Sequence, residues 1–201
     1  VETASNLKTS ENNTNGPNRT CPTPIVPLTD NFNNLRTNIA AMRHWNGSGT
    51  NVSEGLAWAW RVLSPDPPYT NGRPFSDPTT QKVIVLLTDG ENVVFGASGK
   101  AATRSDYGSY GFLAAGRFGA SDQTAAARNV DGWVSQLCSA VKSRGVLLYA
   151  ITLEADTAAN RALYSPCASR PEMYYPSPSA TQLSGIFANI AQQLIALKLT
   201  K

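Results

Sequence analysis

Apolar side chains recur along this chain in two rhythms, one helical and one continuous. Leu35, Ile39 and Met42 fall on one face of a helix, with Thr29 or Asp30 in front of it as the cap. Val52, Leu56, Ala59 and Leu63 repeat the helical spacing, and Ser64-Pro-Asp-Pro-Pro stops it. The rhythm then changes at Lys82-Val-Ile-Val-Leu-Leu-Thr-Asp-Gly, a β-branched and aliphatic run without polar alternation. Such a run predicts a strand covered on both faces of a parallel sheet. Val146 to Leu153 is a second run of this kind. Between the two runs, residues 90–119 read as a long glycine-rich loop carrying Tyr107 and Tyr110. A helix follows from Asp122 to about Arg144, with Val130, Val134, Leu137 and Val141 as its buried stripe and Gly145 just past its end. A short helix from Ala155 to Tyr164, a short strand at Met173-Tyr-Tyr and a helix from Ala180 to Leu199 complete the pattern. Strand and helix alternating in this way predict an α/β fold, a doubly wound, mostly parallel sheet with helices on both faces. Residues 1–20, with only Val1, Ala4 and Leu7 apolar, read as a polar loop or disordered segment ahead of the folded portion at 21–201.

Composition narrows the partners. Charged residues make up 15% of the 201 residues and the formal net charge is +3, so Asn, Ser and Thr supply most of the polar surface. No cluster of Lys and Arg is longer than two, which excludes the electrostatic footprint of a nucleic-acid binder. The longest apolar runs fall far short of the roughly 20 residues that span a bilayer. The chain shows no start methionine, basic n-region or apolar h-region, so it is expected to be part of a longer protein. Asn-x-Ser/Thr triplets at Asn12, Asn18, Asn46 and Asn51 match the glycosylation pattern, and in so Asn-rich a sequence coincidence accounts for them.

Chemistry-bearing residues are few. Ligands of a parallel sheet sit outside the carboxyl ends of its strands, where Asp89 stands immediately after the apolar run. Gly90, Glu91 and Asn92 extend a polar tip whose oxygens suit a hard divalent cation, Asp89 being otherwise a turn residue and Glu91 a solvated loop acid. Thr50 closes a Gly/Ser turn ahead of the second helix and suits either an N-cap hydroxyl or an oxygen given to a metal. Cys21, Cys138 and Cys167 lack zinc-site spacing. Cys138 and Cys167 allow a disulfide if the protein is exported, the alternative being three buried reduced thiols. The single histidine, His44, has no G-x-S-x-G companion and reads as a surface residue at a helix end. Ser98-Gly-Lys-Ala is not a phosphate loop, because Val94 stands where the first glycine belongs and Ala101 where Ser or Thr belongs. Trp58 and Trp60, two apart on a helix, read as packing residues rather than a sugar platform.

Gly49-Thr50-Asn51 before a helix, together with Val-Leu-Leu-Thr-Asp-Gly at a strand end, resembles the second and third motifs of the metal-ion-dependent adhesion site in von Willebrand factor A domains. The stretch from Gly49 to Pro65, with Thr88-Asp-Gly-Glu-Asn, is similar to bacterial pilus-assembly proteins of the TadG type, as are Leu137-Cys138 before Lys142 and Cys167 ahead of Tyr174. The resemblance spans roughly residues 21 to 199. It implies a von Willebrand A fold exported to the bacterial periplasm, outer membrane or cell surface, non-enzymatic and binding protein partners of the envelope or pilus system. It also implies Thr50 and Asp89 near Mg²⁺, Ca²⁺ or Mn²⁺, with a partner carboxylate completing the shell. The loop after Gly90, including Tyr107 and Tyr110, and the segment from Pro67 to Pro78 are then the expected contact surfaces. The family's first motif, Asp-x-Ser-x-Ser, does not occur in this chain. Its strand would lie beside the one ending at Asp89, so the resemblance implies an incomplete metal site, a missing central strand and a bare sheet edge, with the motif and a membrane anchor upstream. Two other functions stand beside this one: a structural surface or filament subunit with a vestigial metal site and, more remotely, a hydrolase.

Overall fold

A computed structural model describes residues 22–42, 49–96, 102–176 and 179–199. The polar segment 1–20, Cys21, His44 and Ser98-Gly-Lys-Ala lie outside the described residues, as do three of the four Asn-x-Ser/Thr triplets. The chain divides into two compact units, Val1–Ser76 with Asn92–Val130, and Asp77–Glu91 with Asp131–Lys201.

The second unit holds the sheet. Strands β1 (Val83–Thr88), β2 (Leu147–Thr152) and β3 (Tyr174–Pro176) run parallel in the order β1-β2-β3. The first two pair in register from Val83 opposite Leu147 to Thr88 opposite Thr152. Helix α3 (Gln123–Ser143) connects β1 to β2, α4 (Ala158–Tyr164) connects β2 to β3, and α5 (Leu183–Leu199) follows β3. The mixed α/β class with a parallel sheet is therefore as the periodicity indicates. Only β2 is buried along almost its whole length. β1 is an edge among the described residues, and Val85 and Leu87 are 36% and 41% exposed. This corrects the expectation that its continuous apolar run is covered on both faces: Ile84 and Thr88 are buried, while the opposite face is open.

Helix α3 buries Val134, Cys138 and Val141 in this unit, so its stripe passes through Cys138, and Leu137 is only half-buried. Gly145, at φ +75°, ends the helix in the left-handed conformation that favours glycine, and its amide closes on the Lys142 carbonyl. Helix α4 packs on β2 and is capped by the Thr157 hydroxyl, which accepts from the Asn160 amide. From α5, Ile190 is buried and the Gln193 carboxamide accepts from the Tyr149 hydroxyl.

The first unit contains α1 (Phe32–Ala40), α2 (Val52–Leu63) and the amino-terminal part of α3. Asn31 caps α1, rather than Thr29 or Asp30, with its side chain accepting from the Asn34 amide. No residue of α1 is buried; Leu35 is half-buried while Ile39 and Met42 are exposed, so among the described residues its apolar stripe meets no core. Helix α2 buries Val52, Ser53 and Leu56. The glycine-rich segment predicted as a long loop is packed where described: Ser105, Leu113 and Phe118 are buried and Leu113–Ala115 forms a short 3₁₀ turn. The Ser105 hydroxyl accepts from the Leu113 amide, and Gln123 donates to the carbonyls of Gly96 and Arg104.

Candidate functional site

The two residues expected to serve a metal lie in different units, Thr50 in the first and Asp89 in the second. At the start of α2, backbone bonds between Thr50 and Val93 run both ways at 2.9 Å, an isolated antiparallel bridge. Gly49 permits this approach, since a Cβ there would lie 1.9 Å from the Val93 carbonyl oxygen. Thr50 is not the cap. Asn51 caps α2, its Oδ1 accepting from the Glu54 amide at 3.1 Å and from the Ser53 hydroxyl at 2.7 Å. Its Nδ2 donates to the Ser109 hydroxyl, so the Asn51 amide of the fourth Asn-x-Ser triplet is engaged on both atoms.

Asn92 also belongs to this helix end. Its buried side chain accepts from the Val52 amide at 2.8 Å. Two asparagine side chains thus satisfy two of the amides that a helix leaves open at its amino terminus. This corrects the placement of Asn92 on a ligand-facing tip, because its carboxamide is spent on the helix and hidden from solvent. Trp58 donates to Glu54 Oε1 at 2.7 Å, carries the Arg61 guanidinium over its face and meets the Tyr69 ring edge-on, the packing role expected of it. Of the loop tyrosines, Tyr107 is 72% exposed and packs edge-on against Phe112, while Tyr110 is half-buried against Phe118.

In the second unit, Asp89 and Glu91 are exposed on a turn at the carboxyl end of β1. The turn is held from below. The Thr88 hydroxyl donates to the Gly90 carbonyl at 3.2 Å and accepts from the Gly90 amide at 3.3 Å. The Tyr164 hydroxyl, at the end of α4, donates to the same carbonyl at 3.3 Å. A carbonyl oxygen carries two lone pairs and accepts from both hydroxyls. Tyr164 has no exposed surface, and burial pushes its phenol up to about 12; the Asp131 and Glu91 carboxylates push the same way, against a hydrogen bond with Thr88. The Thr152 hydroxyl, at the carboxyl end of β2, lies 3.3 Å from the Tyr174 hydroxyl, at the amino end of β3.

The end of α4 is itself anchored. Cys138 of α3 and Cys167 form a disulfide with Sγ atoms 2.09 Å apart, and both are buried. The Lys142 ammonium donates to the carbonyls of Pro166 and Ala168, on either side of Cys167.

Magnesium and calcium take six or more oxygen ligands. Among the described residues, no three His, Cys, Asp or Glu side chains group to hold a metal ion. Thr50 and Asp89 have the oxygen chemistry of a hard cation's ligands. What Asp89 offers without one is an exposed carboxylate on a fixed turn, an acceptor for a cationic or hydrogen-bond-donating group.

Sequence reading gave Tyr164 no role, placed Asn51 in the Gly-Thr-Asn motif and a glycosylation triplet rather than at the cap, and named Lys142 only within the resemblance. Asn51 was legible, because an asparagine followed three residues later by Glu54 ahead of an apolar stripe is a helix-start pattern. Tyr164 and Lys142 act across 74 and 24 positions of chain, and no local pattern marks them.

Comparison of the chain with known protein families, with curated proteins and with solved structures finds no match.

Proposed function

We propose that this chain is a non-enzymatic protein-binding or adhesion domain of the bacterial envelope, of von Willebrand A type and similar to TadG, working in tight-adherence pilus assembly. The observation that carries this reading is the Asp89 carboxylate, exposed at the carboxyl end of a parallel strand on a turn held through Gly90 by Thr88 and Tyr164. A preorganised, exposed acceptor of this kind suits recognition, since little ordering remains to be done on binding. The buried Cys138–Cys167 disulfide supports an exported setting, because such bonds persist in oxidising compartments. A partner lysine, arginine or backbone amide engages Asp89 directly.

The test is Asp89→Ala in the producing bacterium. Pilus-dependent surface attachment is expected to be lost while the protein's amount and melting temperature stay unchanged. Attachment equal to that of the unsubstituted protein excludes the reading.

One observation favours a second reading, a structural surface or filament subunit. Among the described residues β1 is an edge strand with Val85 and Leu87 exposed on one face, the kind of surface that accepts a strand from another chain. Val85→Lys with Leu87→Lys is expected to abolish assembly on that reading, and to leave it intact if binding runs through Asp89.

A further inference from the structure

The carbonyl beneath the Asp89 tip points at a side chain that comes from a different element and also meets the Thr88 hydroxyl. Tyr164 is the last residue of α4, has no exposed surface, and directs its hydroxyl at the Gly90 carbonyl at 3.3 Å. Burying a phenol hydroxyl without a partner costs free energy, so a fully buried tyrosine marks a bond that the fold provides for. The Thr88 hydroxyl meets the same carbonyl at 3.2 Å and so closes the turn on its own strand.

The support continues away from the tip. Three residues beyond Tyr164, Cys167 is bonded to Cys138 of α3. Lys142, one helical turn on from Cys138, donates to the carbonyls of Pro166 and Ala168. The Ser169 hydroxyl accepts from the Leu148 amide of β2, and the Ser169 amide donates to the Leu148 carbonyl. The segment that ends α4 is therefore fixed to α3 by a covalent bond and two hydrogen bonds, and to β2 by two more. Tyr164 extends from that fixed segment to the end of β1.

We propose that Tyr164 is the positioning residue of the Asp89 tip, its O–H bond to Gly90 holding the turn in the conformation that presents the carboxylate outward. The geometric part stands by itself, whereas its consequence for binding rests on the role proposed above for Asp89. Tyr164 does not touch a partner on this account. It acts through Gly90.

The experiment compares Tyr164→Phe, which keeps the ring and removes the hydroxyl, with Tyr174→Phe, which removes the hydroxyl beside Thr152. Nuclear magnetic resonance of the isotope-labelled full chain reads the Gly90 carbonyl carbon and the exchange of its amide. Tyr164→Phe is expected to shift that carbonyl resonance and speed amide exchange about five- to tenfold, the scale of one neutral hydrogen bond. Tyr174→Phe is expected to do neither. An unchanged Gly90 resonance and exchange rate in Tyr164→Phe, or an equal change in both variants, overturns the proposal. Should Tyr164→Phe fail to fold, the unsubstituted protein decides: nuclear Overhauser contacts between the Tyr164 ring and the Gly90 α-protons support the proposal, and their absence overturns it. Surface attachment separates the two layers. If Gly90 responds but Asp89→Ala attaches normally, the binding role of Asp89 fails and the positioning of the tip stands. If Asp89→Ala abolishes attachment and Tyr164→Phe leaves it whole while Gly90 responds, the functional half of this proposal is overturned.

Discussion

Strands β1 and β2 have the same length, the same aliphatic character and a residue-by-residue register, and they differ in what surrounds them. Leu87 and Ile151 face each other across the pair, yet Leu87 is 41% exposed and Ile151 is buried. Composition therefore does not decide burial in this sheet. Surroundings decide it: among the described residues β2 has a strand on either side, whereas β1 has one and its Val85 and Leu87 face is open. The carboxyl end of the less covered strand is also where the only sequence-predicted acid on a strand end, Asp89, stands in solvent.

The largest test of this contrast is a pair of truncations in one row of the sheet. Ile151→Ala is expected to lower unfolding free energy by about 2–5 kcal/mol in urea denaturation, the cost of emptying a close-packed site. An equal loss in Leu87→Ala would break the comparison. The disulfide comes next, because it ties α3 to the segment that carries Tyr164 to β1. Cys138→Ser combined with Cys167→Ser is expected to cost about 2–4 kcal/mol in the same measurement.

Alkaline pH gives the third effect, with a definite sign. The Tyr164 phenol titrates near 12 when folded against 10.0 for the free group, so between those values the unfolded chain loses a proton that the native state keeps. This contribution to stability is complete below pH 10 and is lost as pH rises through 12, on the order of 2 kcal/mol. Chemical denaturation across that window should show a shallower fall in Tyr164→Phe than in the unsubstituted protein. The smallest effect falls to the edge itself: Leu87→Ala is expected to cost about 1 kcal/mol or less, since much of that side chain is already wet.

Much of the fold could be read from the chain. The alternation of continuous and helical apolar runs marked both long strands, α3 to within a residue at either end, and the succession of elements. What escaped was set by contacts distant in sequence. The run Val83 to Leu87 reads as a covered strand because nothing in it says how many neighbours it will have. The α1 stripe was legible as a face but not as an uncovered one. At the candidate site, Asp89 was visible from its place after the run, whereas Asn92 looked like part of the same tip and instead caps α2 from 40 positions away. Tyr164 carries no local mark at all. The pairing of Cys138 with Cys167 was one of two open readings, and the structure forms the bond.

Site-specific photocrosslinking in the bacterial envelope tests the central claim most directly, with the photoreactive residue placed at Glu91 beside Asp89 and, separately, at Leu87 on the β1 edge. If the tip is the binding surface, position 91 yields an adduct with a distinct envelope protein, and Asp89→Ala removes that adduct. Adducts from position 87 alone, with none from position 91, contradict it.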